Sequence, residues 1–69
     1  MTDFGERLRK TLHDRSMTQE ELARKALISK STVYMYINCG VLPTADNLKA
    51  VCEVLCVSAD YLIGLENKI

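Results

Sequence analysis

Helix start signals recur along the chain at short intervals, and they constrain the fold more than any other feature of the sequence. Thr18 begins a Thr-Gln-Glu-Glu segment, which is typical of a capping box. In this motif the Thr hydroxyl accepts a hydrogen bond from a free backbone N–H, and Glu21 reaches back to the helix start. Ser29, Thr44 and Ser58 are further N-cap candidates. Since no strand-like alternation is sustained between them, the sequence predicts an all-α chain of short helices.

Apolar residues at helical spacing place five helices between these signals. Their predicted extents are about residues 4–15, 18–26, 29–38, 44–55 and 59–63. The single proline, Pro43, lies in the connection 39–43 and prevents either neighbouring helix from running through it. Gly64 is expected to end the last helix, and residues 65–69 form a C-terminal tail.

The apolar stripes of these helices predict one small core. The first helix offers Phe4, Leu8 and either Thr11 or Leu12. The residues expected to face inwards are Leu8, Leu22, Ala23, Ile28, Val33, Ile37, Leu48, Val51, Leu55, Tyr61 and Leu62. We therefore expect a single domain over residues 1–69, near the lower size limit for folding on one core.

Composition argues against several classes of protein. No apolar run reaches the ~18 residues that span a bilayer, and the N-terminal segment lacks the uncharged region of a signal peptide. We therefore expect a cytoplasmic protein that does not bind a membrane. We also expect no small-molecule effector domain, because the predicted tail is short. One histidine, without a nucleophile–base spacing or a phosphate-binding glycine loop, predicts a protein that is not an enzyme and needs no cofactor.

The three cysteines, Cys39, Cys52 and Cys56, are an odd number without a CxxC pair, so a disulfide framework is not expected. Cys52 and Cys56 would share one helix face, and a metal site that includes Cys39 or His13 is one interpretation. The simpler interpretation is that the cysteines are reduced and pack as small apolar residues. We favour the second and predict no metal site.

The formal net charge of zero hides an asymmetry between the two halves of the chain. Residues 1–37 contain seven Lys or Arg and five acidic residues, a net charge of +2. Residues 38–69 have a net charge of −2. The first half is therefore the one suited to face a polyanion such as DNA.

Helices two and three follow each other with the spacing of a helix-turn-helix, over about residues 18–38. On helix three, Val33 and Ile37 point one way, and a polar face that includes Lys30 points the other. Spacing alone does not decide the function, because any small helical bundle contains consecutive short helices.

The segment MTQEELARKALISKSTVYMYIN, followed by PTADNL and VSADYLIG, resembles helix-turn-helix transcriptional regulators of the Cro and phage-repressor type, the xenobiotic-response-element family. The resemblance extends from Phe4 to Gly64. It implies a compact five-helix domain like that of lambda repressor. It also implies binding to double-stranded operator DNA as a two-fold homodimer on an inverted repeat.

The resemblance assigns DNA contacts to the starts of helices two and three. Gln19 matches a glutamine that contacts a phosphate near the helix N-terminus, next to Thr18. Ser29 matches the cap of the recognition helix. Lys30 and Ser31 match its first outward positions, where Lys30 suits guanine O6 and N7 or a phosphate.

Three further residues continue this outward face, each with a structural alternative. Tyr34 suits a phosphate or a thymine methyl, or it simply covers the helix surface. Met35 offers apolar contact to DNA, or packs against helix one or a partner subunit. Asn38 contacts a phosphate or caps the helix.

The sequence departs from the family where glycines are usual. Leu27 occupies the turn between helices two and three, at a cost on the order of 1 kcal/mol if the residue is left-handed. Cys39 and Cys56 replace glycines after helices three and four, and Gly40 is placed to substitute for the first of these. Leu12 and Ile37 form an apolar pair where relatives have an ion pair.

The connection 39–43, CGVLP, carries no charge where relatives have basic residues, so phosphate binding should be weakened. Val41 and Leu42 in this connection favour a partner surface. Together with Leu65 and Ile69 of the tail they are our candidates for a dimer interface.

Two functions follow. The first is a sequence-specific DNA-binding regulator, a repressor that inserts its third helix into the major groove as a dimer. Its half-sites should lie ~10 bp apart, and binding should depend on dimerisation and low salt. The alternative is a protein-interaction module on the same fold, such as an antirepressor or the antitoxin partner of a toxin.

Overall fold

The computed structural model describes residues 3–66, and within this range the chain is all-α, without a strand. It measures 26 × 22 × 20 Å and contains five helices in this range. The helices are α1 (Phe4–Asp14), α2 (Gln19–Ala26), α3 (Lys30–Asn38), α4 (Ala45–Leu55) and α5 (Ala59–Leu62). The predicted fold class and helix order are therefore confirmed.

All four predicted N-caps form. The side chains of Thr18, Ser29, Thr44 and Ser58 each accept a hydrogen bond from a backbone N–H in the first turn of the following helix. At α2 the bond is reciprocal, because Glu21 also accepts from the Thr18 backbone N–H at 3.1 Å. Local cap chemistry thus determines where four of the helices begin.

One core joins the helices of residues 3–66. Its buried apolar members are Phe4, Leu8, Leu12, Leu22, Ala23, Ala26, Val33, Tyr36, Ile37, Val51, Leu55, Val57, Tyr61 and Leu62. Thr11 is buried as well, and its hydroxyl donates to the Arg7 carbonyl at 2.8 Å. Both Thr11 and Leu12 therefore face inwards, where the stripe predicted one of them.

Two residues expected in the core are only partly buried, namely Ile28 and Leu48. Ile28 lies in the turn after α2, and Leu48 lines an open surface pocket between α4 and α5. Tyr36 and Val57, which were not predicted, are buried instead. The predicted apolar pair Leu12 and Ile37 lies within the core.

The close approach of α1 to α3 fixes the position of α3. A Cβ atom on Gly5 would lie 2.6 Å from the Tyr36 carbonyl oxygen, so only glycine allows this spacing. Beside it, the rings of Phe4 and Tyr36 meet edge to face, with centroids 5.6 Å apart. α3 is thus supported on its inner side by α1 as well as α2.

The residues in place of family glycines behave in two ways. Leu27 and Cys56 adopt left-handed backbone conformations, with φ of 58° and 55°. Cys39 does not, since its φ is −118°, and Gly40 takes the positive value of 69°. The sequence prediction therefore holds for Leu27, and Gly40 substitutes at the end of α3 as expected.

None of the helices between residues 3 and 66 has both the length and the hydropathy required to cross a membrane.

Candidate nucleic-acid interface

A tight turn of Leu27 to Ser29 joins α2 to α3. The Leu27 N–H donates to the Arg24 carbonyl at 3.4 Å, and the Ile28 N–H donates to the Ala23 carbonyl at 3.0 Å. These bonds close the C-terminus of α2 around the left-handed residue. The Leu27 side chain is 92% exposed, so its packing does not compensate for the backbone strain.

The two faces of α3 differ as the sequence predicted. Val33, Tyr36 and Ile37 are buried against the other helices. The opposite face is exposed and holds five of the predicted DNA-binding residues, Lys30, Ser31, Tyr34, Met35 and Asn38. Within residues 3–66, α3 therefore presents a polar surface with one aromatic and one methionine side chain.

Lys30, at the start of α3, forms an ion pair that sequence reasoning missed. Its Nζ donates to Oε2 of Glu20 on α2 at 2.9 Å. This hydrogen bond, and then the lysine charge, hold the pKa of the Glu20 carboxyl below its usual range. The two residues are ten positions apart, and only the packing of α2 against α3 brings them together.

Ser29 and Thr18 are engaged in capping. The Ser29 hydroxyl accepts from the Thr32 N–H at 3.1 Å and lies 2.6 Å from the Thr32 hydroxyl. Both Ser29 and Thr18 remain exposed, whereas Gln19 is half-buried. The structure thus places these three residues at the N-termini of α2 and α3, where free N–H groups favour an anion.

The first turns of α2 and α3 differ in their acidic residues. The first turn of α2 includes Glu20 and Glu21, and the backbone and hydroxyl of Thr18 hold the pKa of Glu21 below its usual range. The first turn of α3 is Lys30, Ser31 and Thr32, without an acid. The positive end of the α3 dipole therefore has no acidic residue of its own helix beside it, and Glu20 of α2 bonds the Lys30 side chain.

Asn38 closes the other end of α3. Its Nδ2 donates at 3.2 Å to the Tyr34 carbonyl, one turn earlier in the same helix, and Cys39 is the C-cap residue. Tyr34 is 55% exposed and Met35 39% exposed, so both present surface to solvent, but the rest of residues 3–66 covers more than half of Met35.

The candidate dimer residues lie at two places. Val41 and Leu42 are exposed in the connection after α3, where the Val41 N–H donates to the Met35 carbonyl at 3.4 Å. Leu65 is exposed after α5. Ile69 lies outside the described residues.

The three cysteines lie outside the exposed face of α3, although Cys39 follows directly at its C-cap. Cys39 and Cys56 are exposed thiols, and burial raises the pKa of the half-buried Cys52. Among residues 3–66, no three His, Cys, Asp or Glu side chains are grouped as metal ligands would be. His13 is solvated on α1.

Two capped helices, a closed turn between them and an exposed outer face on the second form the layout of a helix-turn-helix. A family model described as helix-turn-helix matches residues 6–62. The chain belongs to this family, that of Cro and phage-repressor-type regulators, and is a DNA-binding transcriptional regulator of a generally non-enzymatic class. A comparison with curated proteins finds no match.

Proposed function

We propose that this chain is a sequence-specific repressor that inserts α3 into the major groove of an operator and binds there as a homodimer on an inverted repeat. The observation that carries the proposal is the outer face of α3. It is exposed along its length, begins with Lys30 and contains no acidic residue. Repression would then be steric, because the bound dimer occupies promoter DNA.

Each residue of this face has chemistry that suits DNA. Lys30 and Ser31 can bond base edges, the lysine to guanine O6 or N7. Tyr34 and Met35 offer apolar contact to a thymine methyl. Gln19 and the exposed hydroxyl of Thr18 lie at the α2 N-terminus, where free backbone N–H groups attract a phosphate against the negative charge of Glu20 and Glu21 in the same turn.

Ser29 and Asn38 would contribute at the two ends of α3. Their side chains already bond the backbone of α3, Ser29 at its N-cap and Asn38 at the Tyr34 carbonyl. The second amide hydrogen of Asn38 can donate to a phosphate, and so can the Ser29 hydroxyl when Thr32 is the donor in the bond between their hydroxyls.

Dimerisation is part of the proposal because one protomer offers few phosphate contacts. The net charge is zero, and the connection after α3 carries no charge. Affinity for DNA grows with each phosphate neutralised, so two half-sites are needed for firm binding. Val41, Leu42, Leu65 and Ile69 are the proposed interface residues.

The test begins with selection of random duplex DNA on the purified protein. The best duplex is then titrated by fluorescence anisotropy across a range of salt concentrations. We expect an inverted repeat, and we expect Lys30→Ala to relax the preference at one base position in each half-site. Lys10→Ala is the matched control. Lys10 also forms an exposed ion pair, with Asp14 at 3.2 Å, but it lies on α1, in a surface pocket that it shares with Tyr61 of α5, and not on the proposed DNA-binding face.

A second candidate function rests on the exposed Val41 and Leu42 in an uncharged connection. This surface favours a protein-interaction module of the antirepressor or antitoxin kind. Selection without any enriched motif, together with weak binding indifferent to Lys30→Ala, would support it over the repressor.

A further inference from the structure

The ion pair of Glu20 and Lys30 lies between the two helices that the proposed complex would place against DNA. Lys30 Nζ and Glu20 Oε2 are 2.9 Å apart, and both side chains are 71% exposed. Glu20 is the second residue of α2, and Lys30 is the first of α3. Because neither side chain is enclosed, each is accessible to an approaching duplex.

The two acidic residues in the first turn of α2 have different partners. Oε1 of Glu21 accepts from the backbone N–H and the hydroxyl of Thr18, at 3.1 and 3.2 Å, and so completes the capping box. Glu20 bonds instead across the turn to Lys30. With its pKa held below the usual range, Glu20 is ionised at neutral pH and carries a full negative charge beside the lysine.

The Glu20 charge affects differently the two kinds of acceptor that DNA offers to Lys30, which are phosphate oxygens and base-edge atoms. A lysine ammonium has three donors, and Glu20 occupies one of them. A phosphate at one of the remaining donors would bring its own negative charge close to the Glu20 carboxylate and be repelled. Guanine is a neutral base whose O6 and N7 atoms carry only partial negative charge, so they accept from Lys30 with much less repulsion.

We propose that Glu20 is a positioning residue that determines specificity, because it directs Lys30 towards neutral acceptors on base edges and away from phosphates. The inference rests on the proposed DNA-binding function. In this arrangement Glu20 lowers the affinity for arbitrary DNA more than the affinity for the operator.

The matched variants are Glu20→Gln and Glu21→Gln. Each removes one negative charge from the same turn, and glutamine at position 21 can still complete a capping box. Anisotropy titrations would use the selected duplex and a scrambled duplex of the same length, over a range of salt. Thermal unfolding of each variant checks that it is folded.

We expect Glu20→Gln to raise the affinity for the scrambled duplex about fivefold at low salt and to steepen its salt dependence by about one phosphate contact. The base preference that depends on Lys30 should fall about fivefold. Glu21→Gln should leave that preference unchanged. In a Lys30→Ala background, Glu20→Gln should leave the ratio of the affinities for the selected and scrambled duplexes unchanged, since the two residues act together.

Equal effects of Glu20→Gln and Glu21→Gln would overturn the inference, because charge alone would then explain them. A loss of base preference that persists in the Lys30→Ala background would also overturn it, since Glu20 would act without the lysine. If the wild-type protein bound selected and scrambled duplexes equally, the proposed function itself would fail, and this inference with it.

Discussion

Helices α2 and α3 begin with the same cap chemistry but differ in everything that stabilises an isolated helix. α2 has Glu20 and Glu21 in its first turn and two basic residues in its last, which complement the helix dipole at both ends. α3 starts with a lysine, has no basic residue in its last turn and is rich in Ser, Thr, Val, Ile and Tyr, which are weaker helix formers.

The difference shows that α3 is helical mainly because it is packed. Its inner residues lie against α1 and α2, and its outer residues contribute little to the stability of the helix. The outer face of α3, which we propose binds DNA, can therefore consist of weak helix formers because the neighbouring elements hold the helix in place.

The largest difference in the free energy of unfolding should be found between substitutions of the two tyrosines of α3, which lie on opposite faces of the helix. Tyr36→Ala should lower the free energy of unfolding by about 4 kcal/mol, because the ring is buried against Phe4 and its hydroxyl accepts from Asn47 at 2.9 Å. Tyr34→Ala, at an exposed position, should change it by about 0.5 kcal/mol or less. Urea denaturation measures both, and similar losses would contradict the view that only the inner face supports α3.

A smaller difference is expected between the contributions of the α2 and α3 N-caps to the free energy of unfolding. Ser29→Ala should cost about 1.5 kcal/mol and Thr18→Ala about 1 kcal/mol. The reason is that Glu21 can still accept from the backbone N–H of residue 18, whereas α3 has no acid in its first turn. Unfolding free energies of the two variants provide the comparison. A larger loss at Thr18 would show that the capping box, and not the lone cap, is the more vulnerable.

The turn between the helices should be improved by glycine. Leu27→Gly should stabilise the domain by about 1 kcal/mol, because φ is 58° and the exposed side chain contributes little packing. Cys39→Gly is the control and should bring no gain, since its φ is −118°. Thermal unfolding distinguishes them. Equal gains would mean that the backbone conformation is not the source of the strain.

The smallest effect should be seen in acid. The pKa values of Glu20 and Glu21 are lowered in the folded chain, so both contribute stability at neutral pH that is lost as the pH falls through their folded pKa values. A Glu20→Gln, Glu21→Gln double variant should lose less stability than the wild type between pH 6 and pH 3. Urea denaturation at several pH values measures how steeply the free energy of unfolding changes with pH. Identical slopes for the wild type and the double variant would show that Glu20 and Glu21 do not contribute this stability.

Sequence reasoning predicted features that depend on a few neighbouring residues. The caps at Thr18, Ser29, Thr44 and Ser58 all formed, because a cap requires only one side chain and the first helical turn. The outward face of α3 was predicted for the same reason, since helical period alone separates it from the inner face.

Features set by tertiary packing were missed. The ion pair of Lys30 with Glu20 depends on the angle between two helices, which no local pattern records. Thr11 and Leu12 are both buried because α1 contacts α3 and α5, so its buried stripe is wider than one partner helix would require. Which residues touch DNA stays a prediction.

The missing side chain at Gly5 has a consequence for how the protein meets its target. With the Tyr36 carbonyl so close to α1, α3 has little room to move towards α1 in the proposed complex, where it would enter grooves of different width or twist. In that complex the duplex would supply most of the adjustment. Operators should therefore be ranked partly by how easily their sequence deforms, including at base pairs that no side chain reaches.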